Sequence, residues 1–239
     1  EEFSVFGISD GNRVLPLEIS LQDHKRLLDG DKGVNTGGMG AYGPAPVAPV
    51  DSVRMVADDM MTPIVQRMKE RGMEYRGFIY GGLIMTEDGP KIIEFNIRFG
   101  DPECQPAMMM LRSNLYEILS LSLEGRLDQI NVEFNPGAAC CVVLASQGYP
   151  ENPKKGLIIE DLESTSKIDG LKVFHAGTKR ENGQILTSGG RVLGVTGYSP
   201  LGIRDAQKIA YDGVSKIRIP GGFHYRRDIA EKALKQNGN

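Results

Sequence analysis

Two stretches of this chain share one form, and together they restrict the fold more than any other feature. FSVFGIS (3–9) and RVLPLEIS (13–20) flank Asp10-Gly11-Asn12, and GFIYGGLIMTEDGPKIIEFN (77–96) is divided by Asp88-Gly89. Apolar, β-branched runs on both sides of an Asp-Gly turn predict antiparallel hairpins, because that dipeptide accepts the left-handed backbone a tight hairpin turn needs. An antiparallel sheet with helices packed on it follows, which is an α+β architecture.

The first helix is expected in DSVRMVADDMMTPIVQRMKERG (51–72), where Val53, Val56, Met60, Ile64 and Met68 recur near helical spacing. Asp51 and Ser52 are N-cap candidates, and Pro63 predicts a bend or a break. A second helix runs from a cap at Asn114 to a stop at Gly125. Beyond the polar LDQINVEFNPG comes AACCVVLAS (138–146), a strand apolar on both faces. A domain boundary is placed near residue 130, giving units 1–130 and 131–239. The second unit adds strands at LKVFHA, QILT and RVLGVTG and a closing helix over 203–218 with Ala206, Ile209, Ala210, Val214 and Ile217 inward. It reads as a smaller mixed β/α domain.

Composition removes several classes. The 239 residues carry 28 Lys plus Arg against 31 Asp plus Glu, a net charge of −3, so the basic surface of a nucleic-acid binder is not expected. No run approaches the roughly 20 apolar residues of a membrane span. The three cysteines, Cys104, Cys140 and Cys141, lack metal or redox spacing, and a reducing, cytoplasmic setting is expected. The chain opens on Glu-Glu rather than Met, which suggests a piece of a longer protein.

Chemistry concentrates in KIIEFNIRFGDPECQP (91–106). Strand alternation puts Ile93, Phe95, Ile97 and Phe99 on one side and Glu94, Asn96 and Arg98 on the other, successive members of the row about 6.5–7 Å apart. One reading is an edge strand with a solvated face. The other is a Mg²⁺ (or Mn²⁺) site, since such a cation is held by one or two hard oxygen ligands together with substrate phosphates and water. Arg98 would add a permanent cation where phosphoryl transfer develops charge. Gly100 and Pro102 then force a turn, with Asp101 and Glu103 either holding Arg98 or a basic substrate group, or forming a structural ion-pair knot.

A second dense stretch, DHKRLLDGDKGVNTGGMGAYGPAP (23–46), lacks GK[ST] and any dinucleotide fingerprint. Its glycines let backbone approach a ligand and can form an N–H nest for an anion, with Lys25, Arg26 and Lys32 nearby. A flexible connection between hairpin and helix fits the same composition.

These residues carry a resemblance. QDHKRLLDGDKGVNTGGMGAYGPAP and EFNIRFGDPECQ, with FHAGT (174–178), GGRVLGVTG (189–197) and HYRRDIA (224–230), closely resemble the glycinamide ribonucleotide synthetase family, ATP-grasp enzymes of purine biosynthesis. The resemblance extends over essentially the whole chain. It implies the C-terminal part of an ATP-grasp core followed by the family's C-terminal domain. The reaction it implies joins glycine to 5-phosphoribosylamine with ATP as cosubstrate, through glycyl phosphate, to give glycinamide ribonucleotide, ADP and phosphate. Carried onto this chain, Glu94 and Asn96 would hold Mg²⁺, and Arg98 would be the catalytic cation. Asp23, His24, Lys25, Asp31, Asn35, Thr36, Gly37, Gly38, Met39, Gly40, Asp101 and Arg191 would line the substrate side. His175 is a further carry-over; Arg226 and Asp228 are expected to make packing ion pairs.

Two departures accompany it. Some ATP-grasp relatives place another acidic ligand twelve residues before the glutamate, where this chain has Gly82. The family's N-terminal domain, ATP lid and adenine-reading hinge would all precede Glu1, so the missing N-terminal half is an expected partner and this chain alone is expected to turn over little or nothing. Another ATP-grasp ligase or carboxylase, or a noncatalytic binding module, are the rival readings.

Overall fold

The computed structural model describes residues 1–236. In chain order the elements are β1 (Glu2–Asp10), β2 (Val14–Asp23), β3 (Arg26–Leu28), β4 (Lys32–Asn35), β5 (Gly40–Gly43), α1 (Val50–Met55), α2 (Thr62–Glu70), β6 (Arg76–Thr86), β7 (Gly89–Asn96), α3 (Cys104–Met110) and α4 (Leu115–Glu124). There follow β8 (Ala138–Ser146), α5 (Leu162–Thr165), β9 (Leu171–His175), β10 (Thr178–Glu181), β11 (Gln184–Thr187), β12 (Arg191–Ser199), α6 (Ile203–Val214), β13 (Phe223–His224) and α7 (Glu231–Gln236). Contacts divide them into a first unit of residues 1–22, 43–100 and 110–136, and a second of 23–42, 101–109 and 137–239. The units interleave in sequence, so one cut near residue 130 follows chain order but not the two early segments that cluster with the second unit.

In the first unit both Asp-Gly turns close antiparallel hairpins, β1 with β2 and β6 with β7. β1 also pairs β6 from Glu2↔Ile84 to Asp10↔Arg76, which gives the order β7-β6-β1-β2 and leaves β7 at the edge. The 51–72 region is helical but not one α-helix: a π-helical stretch, Val56–Met61, separates α1 from α2. Pro63 sits in the first turn of α2, directly after that π-helical stretch. The N-terminus lies earlier than Asp51 and Ser52 suggest, with Pro49 as N-cap. Val53, Val56, Ala57, Met61 and Val65 of this helical run join Phe3, Val5, Val14, Ile79 and Leu83 in one core. α4 has both expected ends: the Asn114 side chain accepts the Tyr116 N–H, and Gly125 takes a left-handed φ of 74°.

In the second unit the order is β5-β8-β12-β9, with β13 also on β8, and all nine residues of β8 are buried. β12 runs antiparallel to β8 and to β9. α6 lies against β12 and ends at Val214, earlier than periodicity suggests, and Ile217 is buried in the segment that follows. The approach is close because Gly197 has no side chain: a Cβ there would lie 2.3 Å from the Ala206 carbonyl oxygen and 2.7 Å from the Ala210 nitrogen. Gly197→Ala should therefore lower stability by about 2–3 kcal/mol, the usual cost of overpacking against backbone, read as a fall in the urea midpoint at unchanged m.

Candidate functional site

Edge strand β7, in the first unit, carries one set of candidate residues. Its pairing with β6 shifts register between Gly82↔Glu94 and Leu83↔Ile92, so Ile93 is an extra, bulged residue. The bulge corrects the expected alternation. Ile92 and Phe95 pack on the core, whereas Ile93 is 51% and Ile97 73% exposed. Glu94 and Asn96 remain neighbours on one face, the Asn96 amide donating to Glu94 Oε1 at 3.1 Å. That bond leaves the amide oxygen and the other carboxylate oxygen as a pair of hard donors on an edge strand, which fits a cation completing its shell with phosphate and water. Gly82 lies opposite Glu94, and a Cβ there would point at the Glu94 Cγ, 3.2 Å away. An acidic side chain at position 82 would thus begin beside the pair; this chain supplies none there. Among the described residues no group of three or more His, Cys, Asp or Glu is arranged to hold a metal.

Arg98 does not continue the row. β7 ends at Asn96, and the exposed Arg98 guanidinium donates to the Phe99 carbonyl oxygen at 3.1 Å. The segment is anchored by Phe99, whose ring stacks on Phe6 at 4.6 Å and meets Phe78 edge-on at 4.7 Å. Arg98 therefore leaves from an anchored backbone with an exposed side chain.

The glycine-rich segment, in the second unit, is a folded hairpin rather than a flexible connection. β3 and β4 pair antiparallel around Asp29-Gly30-Asp31, with Gly30 at φ 70° and Asp31 at φ 54°. Its N–H groups are largely engaged: Gly30 with the Asp228 carboxylate, Gly37 with the Tyr149 phenol oxygen, Gly38 with Thr36 Oγ1, and Met39 with the His24 carbonyl. An open N–H nest is not what these groups form. Met39 and Gly40 are buried, and a Cβ on Gly40 would lie 2.6 Å from the Cys141 carbonyl. Asp23 and Lys25 are half-buried, and Asn35 is exposed.

Asp101 and Arg191 come together. The guanidinium donates to the Asp101 carboxylate at 3.0 Å and, through Nη1, to the carbonyl oxygens of Asp101 and Gly37, each at 2.6 Å. Asp101 forms an ion pair with Arg191, where the sequence offered Arg98 as a partner. His175 accepts or donates at Nδ1 with Thr178 Oγ1, 3.0 Å away, beside a cavity of about 640 Å³ lined also by Ile158, Arg180 and Ile185.

His24 is buried, its Nε2 accepting the Ala230 N–H at 3.2 Å. The neutral ring's proton then lies on Nδ1, 3.9 Å from Asp31 Oδ1 and without a hydrogen bond. Sequence reasoning found Arg226 and Asp228 but not their hold on this hairpin. Arg226 grips Asp228 through two bonds of 2.8 and 2.7 Å and reaches Asp31 at 2.8 Å, while Lys232 also pairs with Asp31 at 2.7 Å. The His24 ring, Lys232 and Arg226 hold the Asp31 carboxyl well below the usual carboxylate range. Burial, with Arg226 and Lys232 nearby, lowers the His24 pKa against the opposing pull of Asp31. The unfolded chain then binds a proton at His24 that the folded chain does not. Stability should fall as pH drops from about 6.5 toward the lower folded value, by at most about 1.4 kcal/mol per unit. Asp31 adds its loss only below about pH 4. Urea midpoints from pH 7.5 to 5 test this, and His24→Asn should flatten the slope.

An antiparallel sheet with helices packed on it, carrying Glu94 and Asn96 on its edge strand, is the arrangement this chain shows over the stretch that matches an ATP-grasp family model. The biotin carboxylase subunit of pyruvate carboxylase, at 14% identity and TM-score 0.61 over 94% of this chain and 47% of that one, shares that fold. The family model described as phosphoribosylglycinamide synthetase, ATP-grasp (A) domain, matches residues 1–104, and the C domain of the same synthetase matches 139–232. Phosphoribosylamine-glycine ligase of Vigna unguiculata is 44% identical over 227 residues, 93% of this chain and 72% of the relative. The chain belongs to the phosphoribosylglycinamide synthetase family. The Brucella melitensis phosphoribosylamine-glycine ligase is 48% identical over 236 residues, 99% of this chain and 55% of its own. The crystal structure of the Thermotoga maritima phosphoribosylamine-glycine ligase matches at TM-score 0.79 and 34% identity, over 95% of this chain and 55% of that one. This chain thus spans about half the length of most curated relatives it matches. No helix among the described residues is long and apolar enough to cross a membrane.

Proposed function

We propose that the full-length gene product is a cytoplasmic, ATP- and Mg²⁺-dependent ligase that joins glycine to 5-phosphoribosylamine. The observation that carries this reading is the Glu94–Asn96 pair, two hard oxygens side by side on an edge strand, in a chain of this family. In the proposed reaction a glycine carboxylate oxygen attacks the γ-phosphorus and ADP leaves. The amine of phosphoribosylamine then attacks the carbonyl carbon of glycyl phosphate, losing a proton as phosphate departs.

Glu94 and Asn96 would hold the cation, which when bound neutralises charge on the ATP phosphates. Arg98, exposed and permanently charged, would stabilise the transferring phosphoryl group by electrostatics, with no proton transfer. The 23–40 hairpin segment would line the substrate side with Lys25, Asn35 and Thr36, its backbone held by its own bonds. Mn²⁺ has the same preference for these donors.

The test is ADP release by the full-length gene product with Mg²⁺, omitting glycine or phosphoribosylamine in turn. Release that requires both supports the reading. Release that requires bicarbonate instead, or none with any substrate, rejects it.

A further inference from the structure

Gly37 is held at both its backbone groups by side chains distant in sequence. Its N–H donates to the Tyr149 hydroxyl at 3.0 Å, and its carbonyl accepts from Arg191 at 2.6 Å. Each holder is itself braced. The Tyr149 ring lies where a Cβ on Gly190 would be, 2.5 Å from its Cδ2, so only glycine at 190 admits it. Arg191 is locked by the carbonyl and carboxylate of Asp101, and Gln105 fixes the other carboxylate oxygen at 3.0 Å. Gly38, at φ 110°, abuts Pro102 so closely that a Cβ would lie 2.5 Å from the ring.

We infer that Tyr149 and Arg191 are positioning residues that clamp Gly37, and through it the Thr36–Gly40 segment, for the non-nucleotide substrates. Arg191 acts through Gly37 and Asp101: its Nη1 donates to both of their carbonyl oxygens and its Nη2 to the Asp101 carboxylate. The inference rests on the functional reading above and adds residues and a substrate selectivity to it.

Two variants of the full-length gene product test it. Tyr149→Phe keeps the ring on Gly190 and removes only the acceptor; Arg191→Lys keeps the charge but cannot bridge two carbonyls and a carboxylate together. Each should raise KM for glycine or phosphoribosylamine about 5–10-fold, leave KM for ATP within twofold, and leave Tm nearly unchanged, with Arg191→Ala worse than Arg191→Lys. Amide hydrogen exchange should quicken at Gly37–Met39 alone. An equal rise in KM for ATP, or faster exchange with no change in KM, overturns the positioning role. Unchanged exchange overturns the clamp itself. A wild-type protein without substrate-dependent ADP release rejects the functional reading and the substrate side of this inference, while exchange still decides whether the clamp exists.

Discussion

Replacing Glu94 by alanine in the full-length gene product should lower ligase turnover about 10²–10³-fold, the range seen when one preorganised electrostatic contact to a charged transition state is removed. The residue is exposed and its side chain bonds Asn96, so the unfolding free energy should move by no more than about 0.5 kcal/mol. Asn96 then has only its own oxygen to offer, and the Mg²⁺ concentration for half-maximal rate should rise at least about tenfold. Partial recovery at high Mg²⁺ is the accompanying signature. Turnover within threefold of wild type, at any Mg²⁺, would remove the metal role from this strand.

Arg226→Ala should be the most destabilising of the substitutions considered, by about 3 kcal/mol in urea unfolding. The guanidinium side chain is 1% exposed, and its removal leaves Asp228, 17% exposed, without its principal partner. Breaking a buried pair from one side costs about 3–5 kcal/mol, and the lower end applies because Asp31 is 39% exposed and keeps Lys232. Arg226→Met with Asp228→Asn should recover part of the loss, since a neutral replacement of both partners leaves no uncompensated buried charge. A loss under about 1 kcal/mol for Arg226→Ala would show that the pair does not hold the hairpin.

The sequence made the local features legible. Asp-Gly between apolar runs marked both hairpins, Asn114 and Gly125 marked the ends of α4, and Glu94 with Asn96 stood out because two residues along a strand is the spacing of one face. Ile93 shows the limit. A bulge adds one residue without any residue type that announces it, so period-two alternation put Ile93 and Ile97 inward where the structure has them exposed. Pro63 was visible, but the π-helical stretch that ends just before α2 was not, since its apolar spacing differs little from that of an α-helix.

Long-range pairings were the least legible. The composition of 23–46 allows a loop or a nest, and what makes it a hairpin with engaged N–H groups lies far along the chain. Arg226 and Asp228 reach Asp31 and Gly30, and Tyr149 and Arg191 reach Gly37. Arg191 shows the same limit, because nothing in its glycine-rich motif announces the Gly37 carbonyl or the Asp101 carboxylate that it reaches.

The most direct test of the account follows the new bond itself. The full-length gene product is incubated with ATP, Mg²⁺, ¹⁵N-glycine and 5-phosphoribosylamine, and the products are resolved by mass spectrometry. Labelled glycinamide ribonucleotide formed one-for-one with ADP is the predicted result. ADP formed without labelled product, or labelled product formed without ATP, would contradict the account.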